Sequence, residues 1–302
     1  MMKSKTILLT ILLASLFILT ACQPQQTATP ERGAYLGGSQ GIVANFELFG
    51  VEEEGVYTIF STETFPLEVT LFNKGEYEVQ ASDVMIRLLG PSQSEFSGIA
   101  SWDLPNEGVI DKISELAPDG GEETITFATD ALYLTDVAGI VDREWFANVE
   151  YNYKTEVIIP EVCLKEDLTD ARVCDVKEAK QFFVSGAPIT VTSVEEDTAG
   201  KGIMALKIKV SNVGGGKVTN QGEEFSATTQ KLSFSLDDAD WECKSAGKVN
   251  EARLREGEAE IVCKLTSPLT EGALSTKQVK LTLDYKYRDI IQETLRIKES
   301  SE

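Results

Sequence analysis

Leu67-Glu68-Val69-Thr70-Leu71-Phe72-Asn73-Lys74-Gly75 returns later in the chain as Leu206-Lys207-Ile208-Lys209-Val210-Ser211-Asn212-Val213-Gly214. Each copy alternates apolar and polar residues, the period-2 signature of a half-buried strand, and each closes on Asn-x-Gly, a turn signal. A second pair follows in the same order. Val149-Glu150-Tyr151-Asn152-Tyr153-Lys154 returns as Leu283-Asp284-Tyr285-Lys286-Tyr287-Arg288. An opening strand recurs too, Ile42 to Leu48 echoed by Ile189-Thr190-Val191-Thr192-Ser193-Val194. Three matches in one order, at similar spacing, mark two copies of one unit.

Between these anchors lie further strand patterns at Val84–Leu89 and at Glu123 to Phe127. Helical spacing is scarce. Asp130 to Gly139 is the one short helix expected, with Asp130 as N-cap and Gly139 as stop. The expected class is all-β: two β-sandwich domains in tandem. The first covers residues 41–185 and the second 186–302, with Ser185-Gly186-Ala187-Pro188 as the boundary. Two copies with two cores carry the expectation that each folds alone.

A strand, then Asn-x-Gly, then a late Tyr-x-Tyr strand resembles the immunoglobulin-like modules of prokaryotic surface proteins, of the type called CARDB. The likeness covers most of the chain after residue 40, and its motifs encode a fold more than a site. Similar chains, with an export signal, two modules and a paired-Cys segment after the first, occur among archaeal surface lipoproteins. Trp241-Glu242-Cys243 departs from antibody domains, where the core Trp follows the first Cys by a strand, so a generic sandwich is the expectation.

The first residues read as an export signal. Lys3 and Lys5 precede an apolar run from Thr6 to Ala21, which ends at Leu19-Thr20-Ala21-Cys22. That ending resembles the lipobox of prokaryotic lipoproteins, which implies cleavage before Cys22, a lipid on Cys22 and attachment to a membrane. The competing reading is an uncleaved anchor, but the run falls short of the ~20 apolar residues a span needs. Residues 23–40, Gln/Thr/Pro-rich and then glycine-rich, are expected to form a flexible linker.

Composition narrows the function. The chain of 302 residues has 49 acidic against 28 basic side chains, a formal net charge of -21, and this balance repels nucleic acid. There is no histidine, so Ser-His-Asp and Cys-His catalysis and imidazole metal sites are excluded. Phosphate-loop and dinucleotide fingerprints are missing, as are Asn-x-Ser/Thr sequons. A non-enzyme without a cofactor is the expectation; a carboxylate-pair hydrolase is the enzymatic alternative. With Cys22 assigned to lipid, Cys163, Cys174, Cys243 and Cys263 form an even set in an exported chain, which reads as disulfides. Of three connectivities, the grouping favours Cys163–Cys174 and Cys243–Cys263.

Three acidic clusters are calcium candidates: Glu52-Glu53-Glu54, Glu195-Glu196-Asp197 and Asp237-Asp238-Ala239-Asp240. All are placed at strand ends or turns, where sandwich loops can offer oxygen ligands, yet none has EF-hand spacing. Solvated acidic turns with no metal are the preferred reading; the first two clusters hold equivalent places after the first strand of each repeat, which makes Glu195, Glu196 and Asp197 the candidates for a module-end site. The Tyr-x-Tyr pairs, with Trp102 and Trp145, fill the core or form a stacking surface; core packing is preferred. The functional expectation is a structural, adhesive or assembly role with a protein or surface-glycan partner. The alternative is a solute- or glycan-binding subunit of a transport or secretion complex.

Overall fold

A computed structural model describes residues 33–300. The signal, Cys22 and residues 23–32 of the linker lie outside the described residues. Among those described there is no α-helix and one 3-10 turn, Gln93–Glu95; the rest is strand, turn and loop. The all-β expectation is met.

The strand patterns settle where alternation placed them. Val84–Leu89 is a strand with the expected bounds, and Thr64–Asn73 and Ile203–Asn212 carry the quoted repeat. Leu67, Val69 and Leu71 are fully buried, as are Leu206, Ile208 and Val210. The expected helix from Asp130 is absent. The Glu122–Tyr133 strand runs through that position, pairing Ala131 with Phe65 and Leu132 with Thr64. Buried Ala131 and Tyr133 continue the alternation begun by Ile125 and Phe127, and that burial outweighs a local cap signal.

Two strands dominate: Ile140–Lys165, of 26 residues, and Leu274–Lys298, of 25. They are the last strands of the two repeats, and they pair antiparallel from Ile140↔Lys298 to Lys165↔Leu274, with one bulge between Lys277 and Val279. A ten-stranded sheet is built outward from this pair. On one side Ile140–Lys165 takes Val84–Leu89 and then Asp103–Pro105; on the other Leu274–Lys298 takes Gln230–Leu236 and then Glu251–Leu254. The order reads the same from either edge. A four-stranded sheet (Ile42–Phe46, Thr64–Asn73, Glu122–Tyr133, Phe96–Ser97) belongs to the first repeat, and a five-stranded sheet led by Ile189–Gly200 and Ile203–Asn212 to the second.

Burial alternates along both long strands. Trp145, Ala147, Val149, Tyr151, Tyr153, Val157 and Ile159 are buried, as are Val279, Leu281, Leu283, Tyr285 and Tyr287. Directly opposed residues share a face, so one face of the central sheet carries both cores. The other face is polar and crossed by ion pairs such as Lys154–Asp284 and Lys280–Glu156.

Each long strand serves two cores. Beyond Arg288 the second one runs along the first repeat, where Leu295 and Ile297 are fully buried and Leu295–Lys298 pairs in parallel with Tyr57 to Phe60. Beyond Tyr153 the first one runs along the second repeat, where the Thr155 hydroxyl donates to Ile189 O at 2.6 Å. The two repeats therefore share one sheet and exchange strand ends, so each repeat's long strand depends on the other for pairing partners. The boundary is not an exposed hinge, because Ser185, Gly186, Ala187 and Pro188 are all buried. Tyr35 to Gln40, assigned by composition to the flexible linker, is docked at its start. Tyr35 Oη donates to Glu156 Oε2 at 2.9 Å, and the Glu76 carboxylate accepts from the backbone N–H of Leu36, Gly37 and Gly186.

Candidate functional site

The pairing register brings the two Tyr-x-Tyr motifs together. Tyr151 lies opposite Tyr287, Tyr153 opposite Tyr285, and Asn152 opposite Lys286. Since Tyr151 and Tyr285 hold the same place in the repeat, as do Tyr153 and Tyr287, a pseudo-two-fold axis passes through the Asn152–Lys286 pair. All four rings are buried and form a closed ring of neighbours: 5.6 Å for Tyr151–Tyr153 and Tyr151–Tyr287, 6.4 Å for Tyr153–Tyr285 and Tyr285–Tyr287. Core packing is thus their role. Burial raises the phenol pKa of Tyr151, Tyr153 and Tyr285, and that of Tyr287 is pushed up to about 12 by the same cause. Trp145 is fully buried and stacks on half-buried Trp102 at 5.4 Å.

The Asn-x-Gly turns receive the tyrosines. Tyr153 Oη donates to Asn73 Oδ1 at 3.0 Å, and Tyr287 Oη to Asn212 Oδ1 at 2.9 Å. Each asparagine spends its Nδ2 four residues on, at Tyr77 O and Gly216 O. The glycine is required by space: a Cβ on Gly75 would stand 2.2 Å from Tyr153 Oη, and one on Gly214 2.6 Å from Tyr287 Oη. The symmetry extends to the entry strands, where Lys74 N donates to Gly41 O and Val213 N to Pro188 O.

Around the tyrosines the symmetry fails at the Thr155 position. Tyr285 Oη shares a 3.0 Å hydrogen bond with the Thr155 hydroxyl, which bridges on to Ile189 O. In the other half Tyr151 replaces Tyr285, Ile42 replaces Ile189, and Asp289 stands where Thr155 would. The Asp289 side chain is exposed at the mouth of this junction, and its Oδ1 accepts from Ile290 N at 2.8 Å. A cavity of about 190 Å³ opens there, lined by Gln40, Gly41, Tyr151, Gly214, Tyr287 and Asp289 among others.

The acidic clusters are not gathered into one site. Glu195-Glu196-Asp197 lies within the Ile189–Gly200 strand and not at a turn, so the pleat sends Glu195 and Asp197 to one side and Glu196 to the other. Asp197 is paired with Lys207 at 2.8 Å, which lowers its pKa. Glu196 is buried, and its Oε2 accepts from Lys180 Nζ at 2.8 Å and from Cys163 N at 3.0 Å. Burial raises the Glu196 pKa against the pull of Lys180. Glu53 pairs with Lys298 on the Val51–Glu53 strand, and Asp238 with Lys277 in the turn before Trp241. Among the described residues no three His, Cys, Asp or Glu side chains are grouped to hold a metal ion.

Both disulfides follow the expected grouping: Cys163–Cys174 with Cα atoms 5.7 Å apart, and Cys243–Cys263 at 3.9 Å. Cys243 and Cys263 are direct cross-strand partners within one sheet. The first disulfide begins a cover for a strand edge. After Cys174, Lys180 N donates to Val194 O and Glu196 N to Glu178 O, so residues 178–180 pair with the outer edge of Ile189–Gly200. Two buried lysines hold this cover. Lys165 Nζ donates to Asp170 O and Cys174 O, and Lys180 Nζ donates to Glu178 Oε1, Glu196 Oε2 and Asp175 O. Spacing alone could not find these lysines, because their partners are mostly main-chain carbonyls and a carboxylate of another strand.

Comparison with known proteins identifies no relative: no family model, no curated protein and no solved structure matches the chain.

Proposed function

We propose that this chain is an exported protein, anchored by lipid at Cys22, whose two immunoglobulin-like modules of CARDB type act together as one rigid structural or adhesive body. Its partner would be a protein or glycan at the cell surface. The observation that carries this reading is the pairing of Ile140–Lys165 with Leu274–Lys298 along their whole length. Tandem modules on a hinge sample many orientations; modules that share a sheet hold their surfaces at a fixed distance and angle. Two disulfides point to an oxidising, extracytoplasmic setting. The covered edge of Ile189–Gly200 suits a protein that meets others through chosen surfaces while avoiding indiscriminate strand pairing.

The test is a membrane fractionation followed by cross-linking and capture. Wild-type protein is expected in the membrane fraction with a lipid-modified Cys22, and Cys22→Ser in the soluble fraction or as uncut precursor. Mass spectrometry showing an unmodified Cys22 inside a chain that still begins at Met1 would refute the anchor. Turnover of a substrate, lost on mutation of one carboxylate, would refute the structural role.

A further inference from the structure

The cavity beside Tyr151 is a vacancy in an otherwise repeated arrangement, and its chemistry defines a guest. Tyr151 is 2 % exposed and lines the cavity, and its hydroxyl is not bridged by a threonine as that of Tyr285 is. It abuts Gly41, where a Cβ would lie 2.9 Å from Tyr151 Oη, on the wall of the cavity. Ile42 O faces the same way. Ile42 lies opposite Asn73, and the flanking Lys74 N to Gly41 O bond makes this a non-hydrogen-bonded pair, whose own carbonyl points off the ladder. In the other half the matching carbonyl and phenol are joined by the Thr155 hydroxyl. Here the protein offers Asp289 in its place.

We infer that this junction cavity binds a small organic cation, a primary ammonium group, held between Tyr151 Oη, Ile42 O and the Asp289 carboxylate. Two of the three groups are acceptors only, so the guest must supply several donors, as an ammonium does. The volume, about 190 Å³, exceeds the ~30 Å³ share of one water and accommodates a head group of several heavy atoms. A divalent metal fits poorly, because calcium takes six to eight oxygen ligands and the cavity has one carboxylate.

The natural guest being unidentified, methylammonium is the probe. Thermal unfolding of the full-length protein is followed against methylammonium chloride, with sodium chloride at equal ionic strength and calcium chloride as the other arms. A saturable rise in the midpoint with methylammonium alone is expected. Asp289→Asn should weaken that response by about tenfold or more, as loss of a charge-assisted hydrogen bond implies. Asp289→Thr should rebuild the Thr155 bridge and abolish the response, while the protein without methylammonium unfolds no earlier than wild type. No saturable response, or an undiminished one in Asp289→Thr, would overturn the inference: the cavity would then hold solvent only. A response to calcium alone would overturn it too.

Discussion

The hydroxyl of Tyr153 reaches across the interior to Asn73, 80 residues earlier, and donates to its Oδ1 at 3.0 Å. Both residues are fully buried, and Asn73 also donates to Tyr77 O and Ile110 O. The long strand, the Asn-x-Gly turn and the loop ending at Ile110 are thereby locked by one side chain.

Asn73→Ala should remove that lock. Several buried polar groups would lose their partner at once, each costing about 1–3 kcal/mol, so a loss of about 3 kcal/mol or more is expected in urea unfolding. Combined with Tyr153→Phe, the double variant should cost less than the two singles added, with a coupling of about 1 kcal/mol. Strict additivity would mean that the bond contributes nothing.

Residues 186–302 alone should not keep the cooperative transition of the whole protein. Leu274–Lys298 would lose its neighbour over its full length, and Leu295 and Ile297 would lose their core. Circular dichroism and amide-dispersed NMR spectra decide the matter. A fragment that unfolds as the intact chain does would show that the shared sheet is dispensable.

Replacing Cys163 and Cys174 by Ser should loosen the edge cover and leave the core intact. The amides of Lys180 and Glu196, bonded to Val194 O and Glu178 O, should lose hydrogen-exchange protection, while those of Tyr151 to Thr155 keep theirs. In the chain-entropy picture a loop of this size contributes about 3 kcal/mol. Uniform loss of protection across the sheet would contradict a local role.

Glu196 sets a pH dependence whose sign follows from its raised pKa, caused by burial against the pull of Lys180. The folded protein holds that proton more tightly than the unfolded chain. Its contribution is therefore full below the ordinary glutamate pKa and is lost as pH rises through the raised folded value. Glu196→Gln should thus gain stability relative to wild type as pH rises above the ordinary glutamate pKa, read from urea midpoints along a pH series. A relative loss over that range would reverse the assignment. Glu95 and Asp142, both held low by hydrogen bonds to Arg143 and Arg296, act oppositely and lose their contribution on acidification.

The period-2 patterns at Thr64–Asn73 and Val84–Leu89 were legible because one face of each strand is buried, so alternation is enforced residue by residue. The repeat also exposed the residues that matter in the core, Asn73, Gly75, Tyr151 and Tyr153 with their counterparts. What sequence could not show was the partner of each long strand. An edge looks the same whether it faces solvent or a second copy, so Ile140–Lys165 reads as the end of one domain. Glu195, Glu196 and Asp197 misled for a related reason: three adjacent acids suggest a loop, but burial of Glu196 against Lys180 let them continue a strand. The cavity beside Tyr151 rests on the exchange of Thr155 for Asp289, which is visible only once the register fixes equivalent places.

That register has an evolutionary reading. A pseudo-two-fold axis between repeat-equivalent strands is also the geometry that two separate copies of one repeat would adopt as a homodimer. An ancestral single copy would pair its long strand with the same strand of a second molecule, Tyr151 against Tyr153. Such a dimer obeys strict symmetry: whatever one subunit lacks, the other lacks as well, and every vacancy comes twice. Covalent fusion lifts that rule. One half can close its junction with a threonine while the other leaves its own open beside an aspartate, and selection can act on a single opening without disturbing its mirror position.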